Sequence, residues 1–184
     1  MFRFFRKIGA FILDFVETVI MALAVFVIIY LFLFQPHQVR GNSMLPSFED
    51  KEYILTDKIS YRLHSPARGD VIIFRAPQNE DYDYIKRIIG IPGDTIRIEN
   101  GRVYVNEEQI EEPYLPEDEV TIKGRFVESK QSMTVPEDQY FVLGDNRNHS
   151  SDSREWGFVP KENIIGKTWF RYWPPGRIGL TTPL

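Results

Sequence analysis

The chain has 184 residues and a formal net charge of −4, with 43% hydrophobic and 26% charged residues. These proportions are typical of one or two globular domains rather than a disordered chain, and the mild acidity argues against a nucleic-acid-binding protein. The sequence contains no cysteine, which excludes disulfides, thiolate nucleophiles and cysteine metal sites.

The first segment of the chain combines a basic end with a long apolar run. Arg3, Arg6 and Lys7 precede residues 18–34, which carry no charge. The length of this run is near the lower end of the roughly 17–25 residues that cross a bilayer as a helix. A cleavable signal peptide and a buried core helix are the alternatives. The run is long for a signal peptide, however, and it ends in bulky residues without a small-x-small site.

The charge pattern also predicts how the chain is divided by the membrane. A basic end favours the cytoplasmic side of a bilayer. We therefore expect a cytoplasmic tail over residues 1–17, a transmembrane helix over 18–34 and an extracytoplasmic domain over 35–184.

The remainder of the chain alternates short apolar runs with turn residues, which is typical of β-strands. Asn100-Gly101 predicts a type I′ hairpin turn, because that turn needs positive φ at both positions. Residues 106–134 are acidic and contain two prolines, so they predict an excursion or mobile loop. The fold class is mainly β, with one N-terminal transmembrane helix. The runs predicted as strands are 53–60, 70–77, 83–90, 94–106, 140–146 and 168–173.

Four segments contain the residues that could take part in catalysis. These segments are 41–48, 68–74, 83–94 and 144–160. In the first, Ser43 lies in a Gly-Asn-Ser-Met-x-Pro turn. A serine hydroxyl is a poor nucleophile until a nearby base removes its proton. By itself, Ser43 would be read as an ordinary turn serine, so its role depends on a partner.

The base that could activate a serine is a histidine or a lysine. The histidines are His37, His64 and His149, of which only His149 lies in a segment that makes a Ser-His-Asp triad conceivable. The serine–lysine form of the triad fits the sequence better. Lys86 lies on an apolar strand, although a strand lysine taken alone would be expected to face solvent.

The order, spacing and content of the four segments resemble the signature boxes of bacterial type I signal peptidases, and the resemblance runs from the apolar segment to about Gly166. It implies a β-rich catalytic domain of the signal peptidase I type, with Ser43 as nucleophile and Lys86 as general base. That chemistry needs a neutral lysine, and half-neutrality near pH 8.5 requires the pKa to fall by about 2 units from that of a free lysine. Burial can lower a lysine pKa by that much. No metal and no cofactor are expected.

The resemblance also implies supporting roles. It assigns Ser150 as a hydroxyl that hydrogen-bonds and orients the lysine. Strand alternation points Arg87 to the face opposite Lys86, where we expect it to pair with an acid of the 145–152 loop. Charged residues expected to hold that loop are Asp145, Asp152 and Arg154.

An oxyanion hole is expected from the Ser43 backbone N–H, because donors must be aimed at the developing charge. Some relatives add a hydroxyl two residues before the nucleophile. Gly41 stands at that position here and has none. The second donor is therefore either the Gly41 N–H or missing.

The resemblance implies substrates with small side chains at the first and third positions before the cut. The substrate is expected to bind extended along the strand edges near 38–40 and 83–85. Expected partners are signal peptides of exported preproteins and the lipid bilayer, with the secretion translocon as a further candidate, and no nucleic acid. The expected pocket residues are Val39, Met44, Tyr84, Ile85 and Val142.

Other functions remain open at this point. The same fold and dyad could serve a dedicated pilin or conjugation peptidase. A self-cleaving repressor would carry a DNA-binding domain instead of an apolar segment, and a non-enzymatic export subunit would be expected to lack Ser43 or Lys86. The aromatic group at 169–173 is either core packing or a membrane-interface belt.

Overall fold

A computed structural model describes residues 2–128 and 131–181. The chain begins with helix α1 (Phe2–Phe32). Within its stretch Lys7–Tyr30, an 18-residue window has a mean hydropathy of 2.5 and no buried residues, so its length and composition suit a membrane span. The helix begins well before residue 18, where the transmembrane helix was expected to begin. The charged residues of its first half are part of the helix. Residues 182–184 of the expected extracytoplasmic domain and residues 129–130 of the expected excursion lie outside the described residues.

The rest of the described chain is mainly strand. The strands are β1 (Phe34–Gln38), β2 (Tyr53–Asp57), β3 (Val71–Ala76), β4 (Asn79–Gly90), β5 (Thr95–Glu99), β6 (Arg102–Val105), β7 (Glu108–Gln109), β8 (Met133–Thr134), β9 (Gln139–Leu143), β10 (Val159–Pro160), β11 (Ile164–Trp173) and β12 (Gly179–Leu180). Two short helices interrupt them, α2 (Ser60–Leu63) and α3 (Ser153–Trp156). This architecture confirms the mainly β prediction.

The described strands form two antiparallel sheets. The larger sheet has the order β1-β2-β11-β3-β4-β9-β10, with β12 paired to β11, and the smaller has the order β7-β6-β5-β8. The strands at the centre of the larger sheet are apolar on both faces, as in β3, where Val71, Ile72, Ile73 and Phe74 are all buried. Strands covered on both faces are near-continuous hydrophobic runs rather than alternating ones.

Each predicted strand run overlaps an observed strand. The predicted hairpin turn is confirmed, since Asn100 and Gly101 have φ of 50° and 76° between β5 and β6. Strand β11 begins at Ile164, four residues before the predicted run, because Ile164 pairs with Phe74 of β3. Within 106–134 the described residues form turns and the two short strands β7 and β8.

Candidate active site

Ser43 and Lys86 lie within hydrogen-bond distance of each other. Lys86 lies on β4, paired across the ladder with Ile72 of β3, and Ser43 lies in the turn that follows β1. The Lys86 Nζ is 2.8 Å from Ser43 Oγ and 2.8 Å from the carbonyl oxygen of Ile85. The structure therefore brings together the two residues that the sequence singled out.

The environment of Lys86 favours the neutral amine. The residue is only 4% exposed, and burial lowers its pKa from 10.5 to about 8, against the opposing charges of Asp152 and Asp145. Desolvation disfavours the ammonium more than these carboxylates favour it. The Tyr84 ring, whose centroid is 5.4 Å from Nζ, is a weaker contact that prefers the cation. Both the direction and the size of this pKa shift agree with the requirement derived from the sequence.

The histidines do not reach the serine. His149 is exposed and its Nδ1 lies 3.2 Å from Asn146 Oδ1. His64 is exposed, and the His37 Nδ1 lies 2.7 Å from Thr56 Oγ1. A Ser-His-Asp triad is therefore not assembled at this site.

The expected hydrogen bond from Ser150 to Lys86 is not found. The Ser150 Oγ is buried and has no hydrogen-bond partner among the described residues. It points at Gly144, where an added Cβ would lie 2.2 Å from this oxygen. The absence of a side chain at Gly144 thus lets Ser150 pack closely against the backbone, and the orienting contact of Lys86 is the Ile85 carbonyl instead.

Gly41 does not offer a free oxyanion donor in this structure. Its N–H donates to Asp50 Oδ1 at 2.8 Å, and its φ of 84° is the left-handed conformation that favours glycine. Gly41 therefore shapes the turn before the nucleophile. The Ser43 N–H makes no hydrogen bond within the described chain, whereas the Ser43 carbonyl accepts from the Asn146 N–H at 3.1 Å.

The predicted pairing of Arg87 with the 145–152 loop is confirmed. The guanidinium makes a bidentate contact with Asp145, with distances of 2.9 and 2.6 Å. The Arg87 side chain is 5% exposed and that of Asp145 is 0% exposed. Bidentate arginine–carboxylate pairs are strong and geometrically specific. This pair joins β4 to the loop beside the nucleophile.

Asp152 and Arg154 hold the other end of the loop. The Asp152 carboxylate accepts from the backbone N–H of Gly144 at 3.1 Å and of Arg154 at 3.2 Å, which makes it the N-cap of α3. The Arg154 side chain contacts the same carboxylate at 2.8 Å and donates to the carbonyl of Arg147 at 2.7 Å. These contacts agree with the loop-holding role expected for the charged residues.

Arg147 was not anticipated from the sequence. Its side chain is 0% exposed and forms an ion pair with Glu112. It also donates to Thr121 Oγ1 at 2.5 Å and to the Gly144 carbonyl at 3.0 Å. Its position between Asp145 and Ser150 in the GDNRNHS motif was the available signal, but nothing in that motif indicates the distant partner Glu112.

A cavity of about 250 Å³ lies beside the dyad, between the end of β1 and the middle of β4. Val39, Tyr84 and Ile85 line it as expected. Met44 does not line it; it is 1% exposed and packs in the same apolar cluster as Val39 and Ile85. Val142 does not contribute: it is fully buried in a different cluster, where it is paired with Ile88 of β4. Gln38, Arg40 and Asp83 also line it, within the strand edges near 38–40 and 83–85 that were expected to bind substrate. Lining residues that the sequence did not indicate are His37, Ile54, Ile73 and Ser151.

Comparisons with known proteins identify relatives that are all signal peptidases. The family model described as "Signal peptidase, peptidase S26" matches residues 12–173. A probable signal peptidase I-2 of Synechocystis sp. is 38% identical over 171 residues, covering 90% of this chain and 75% of the relative. A signal peptidase I of Bacillus caldolyticus is 41% identical over 160 residues, covering 83% and 87%.

Two further proteins are similar. Signal peptidase IB of Staphylococcus aureus is 33% identical over 174 residues, covering 89% of this chain and 90% of the relative. A crystal structure of a signal peptidase I from Enterococcus faecalis is 38% identical and covers 56% of this chain and 97% of that chain, with a TM-score of 0.49. The family match spans most of the sequence, including the turn of Ser43 and the strand of Lys86, and the chain therefore belongs to the signal peptidase family, peptidase S26.

Proposed function

We propose that this chain removes signal peptides from exported preproteins, with Ser43 as the nucleophile and Lys86 as its general base. Membership of the family makes the chain a serine endopeptidase, and its apolar helix α1 anchors it in a membrane. The observation that carries the assignment of residues is the distance of 2.8 Å between Lys86 Nζ and Ser43 Oγ beside a cavity that both residues line. A nucleophile and base within hydrogen-bond reach are the signature of an activated serine.

Acylation begins with neutral Lys86. Its amine takes the proton of the Ser43 hydroxyl as the oxygen attacks the scissile carbonyl carbon. The resulting ammonium then gives that proton to the leaving amide nitrogen, and the carbon–nitrogen bond breaks. The products of this half-reaction are the mature protein with a new amino terminus and an ester between Ser43 and the signal peptide.

Deacylation uses the same base again. A water molecule loses a proton to Lys86 and attacks the ester carbonyl. The ester bond breaks, Lys86 returns the proton to Ser43 Oγ, and the signal peptide leaves with a free carboxylate. In both steps the Ser43 N–H is the proposed oxyanion donor, because it makes no hydrogen bond within the described chain, whereas that of Gly41 is engaged by Asp50.

The cavity favours an extended substrate with small side chains. Val39, Tyr84 and Ile85 line it, and Met44 packs in the same apolar cluster as Val39 and Ile85. A strand laid between the ends of β1 and β4 would use backbone hydrogen bonds for affinity and shallow pockets for selection. We propose that these pockets accept small residues at the first and third positions before the cut.

The proposed orientation places the amino terminus in the cytoplasm and the β-rich domain outside it. The basic amino-terminal residues support this arrangement. The surface near the end of α1 supports a second contact with the lipid bilayer. Phe34 stacks on Trp169 with ring centroids 4.8 Å apart, and Trp169 and Trp173 are 43% and 52% exposed. Exposed tryptophans are typical of the membrane interface and not of core packing.

The proposed function is tested by incubating the purified full-length chain with a mixed pool of preproteins and mapping the cut sites by mass spectrometry. We expect cleavage after small-x-small sites in many preproteins, and no cleavage by the Ser43→Ala variant. Cleavage confined to one specialised substrate, such as a pilin precursor, would instead favour the dedicated peptidase. An inactive wild-type chain that is folded by circular dichroism would contradict both.

A further inference from the structure

The acidic segment between β6 and β9 is fastened to the catalytic loop at 144–154. Glu112 forms an ion pair with Arg147, in which the two side chains are 12% and 0% exposed. A second contact of 3.2 Å joins Arg147 Nη1 to the other oxygen of Glu112, and Thr121 accepts from the same guanidinium at 2.5 Å. A buried guanidinium needs its counter-charge, so these contacts fix where the loop can lie.

The loop held in this way in turn holds the nucleophile. Arg147 Nε donates to the Gly144 carbonyl at 3.0 Å, which closes the loop on itself. The adjacent Asn146 donates twice to the nucleophile turn, from its N–H to the Ser43 carbonyl at 3.1 Å and from its Nδ2 to the Asn42 carbonyl at 3.0 Å. A continuous chain of contacts therefore runs from Glu112 to the backbone of Ser43.

A second path runs to the base. The Tyr114 hydroxyl donates to Glu112 at 2.7 Å, and the Tyr114 ring lies under the guanidinium of Arg87 at 3.8 Å. Arg87 follows Lys86 in β4 and pairs with Asp145 of the loop. Glu112 thus contacts the arginine next to Asn146, and Tyr114 contacts the arginine next to Lys86.

We propose that Glu112 and Tyr114 are positioning residues that hold Ser43 and Lys86 in register. This inference rests on the proposed function for its readout. Rates depend steeply on the geometry of a nucleophile and its base, and a displacement of about 1 Å can lower a rate by about 10²-fold. Without the carboxylate of Glu112, the Arg147 guanidinium lacks its counter-charge and moves toward water, and it carries Asn146 and the Ser43 carbonyl with it.

The first test compares Glu112→Gln with Glu111→Gln in the full-length enzyme. Both variants remove one negative charge, at neighbouring positions, but Glu111 is exposed. With a preprotein substrate we expect kcat of Glu112→Gln to fall about 10- to 100-fold with KM within about threefold of wild type, whereas Glu111→Gln changes neither. The pH midpoint of the rate should stay in place, because Lys86 remains buried.

Rates are measured at a temperature at which circular dichroism shows every variant fully folded, so that lost stability cannot imitate lost register. Equal kcat values for Glu112→Gln and Glu111→Gln would overturn the proposal. A fall in both kcat and KM for Glu112→Gln would also overturn the proposal. A fall in kcat together with a shifted pH midpoint would do the same. An inactive wild-type enzyme would refute the proposed function rather than the positioning role.

A second pair of variants addresses the path to Lys86 if Glu112→Gln does not fold. Tyr114→Leu removes the ring beneath Arg87, and Tyr104→Leu removes a matched ring that lies 4.1 Å from Arg97 in the smaller sheet. We expect a fall in kcat of about tenfold for Tyr114→Leu and none for Tyr104→Leu. Equal kcat values for these two variants would also overturn the proposal.

Discussion

Lys86 carries the largest electrostatic cost of any residue in the proposed mechanism. The fold buries it to 4% exposure, and within the described chain its Nζ hydrogen-bonds to two uncharged oxygens, Ser43 Oγ and the Ile85 carbonyl, each at 2.8 Å. A lysine in such a place loses hydration that these contacts do not fully replace. The result is an amine that can be neutral at a working pH and can accept the proton of Ser43.

The lowered pKa of Lys86 predicts how catalysis depends on pH. Burial lowers the pKa of Lys86 to about 8. Only the neutral amine can act as base, so kcat/KM should rise with pH through a midpoint near 8 and then level off. Initial rates of preprotein cleavage from pH 6 to 10 measure this. A midpoint near the value of a free lysine would show that Lys86 is not the group that titrates.

The second prediction concerns stability. Because the pKa of Lys86 is lowered from 10.5 to about 8 on folding, the unfolded chain binds more protons between these pH values, and stability rises with pH across that window. The loss of folding stability that the lowered pKa of Lys86 causes is about 3 kcal/mol. This loss is fully present below pH 8 and absent above pH 10.5. Lys86→Met should therefore be more stable than wild type at pH 7.

The measurement is denaturant unfolding of both proteins in detergent, followed by tryptophan fluorescence at pH 7, 9 and 10.5. The advantage of Lys86→Met should shrink steadily as the pH rises. An advantage that stays constant over this range would mean that packing, and not charge, accounts for it.

Several residue assignments were predictable from the sequence and others were not. The motifs were specific enough to select Ser43 and Lys86. They could not predict that the Ser150 hydroxyl packs against Gly144, or that Asp50 accepts a hydrogen bond from the Gly41 N–H. A motif gives the position of a residue along the chain, whereas hydrogen bonding depends on side-chain direction and on neighbours that the motif does not contain.

At the scale of elements, the loop at 144–154 is the part of the site that depends most on buried charge. Asp152 is 0% exposed, caps α3 and pairs with Arg154. Removing one partner of a buried ion pair leaves the other uncompensated. We therefore predict that Asp152→Asn lowers the free energy of unfolding by roughly 3–5 kcal/mol.

The matched control is Asp138→Asn. That carboxylate is 82% exposed and lies 3.9 Å from Lys161. Exposed pairs contribute at most about 1 kcal/mol, so this variant should unfold almost as wild type does. Equal unfolding midpoints for the two variants would show that the Asp152 cap does not hold the loop.

The strands were predictable because their apolar runs and turn residues are local signals. The hairpin at Asn100-Gly101 is an example, since the turn follows from two adjacent residues. The acidic segment at 106–134 was predicted as an excursion or mobile loop, because its local sequence shows only charge and proline. Its contacts, such as that of Glu112 with Arg147, join residues 35 positions apart and leave no periodic pattern in the sequence.

For the whole molecule, we predict that the β-rich domain lies against the bilayer as well as being tethered to it. Trp173 is 52% exposed, whereas Trp156 packs against Phe74 in the core. Single-tryptophan variants reconstituted into vesicles with brominated lipids should show strong quenching for Trp173 and little for Trp156. Equal quenching of the two would contradict the membrane contact.

The central claim is that Ser43 and Lys86 together cleave the signal peptide. The most direct test is the initial rate at which Lys86→Arg, in the full-length chain, processes a preprotein with an Ala-x-Ala site. Arginine keeps the charge and approximate length but cannot lose its proton at working pH. We expect the rate to fall by about 10⁴-fold or more, about as far as that of Ser43→Ala, because the two residues act as a unit. Processing by Lys86→Arg within tenfold of the wild-type rate would contradict the central claim.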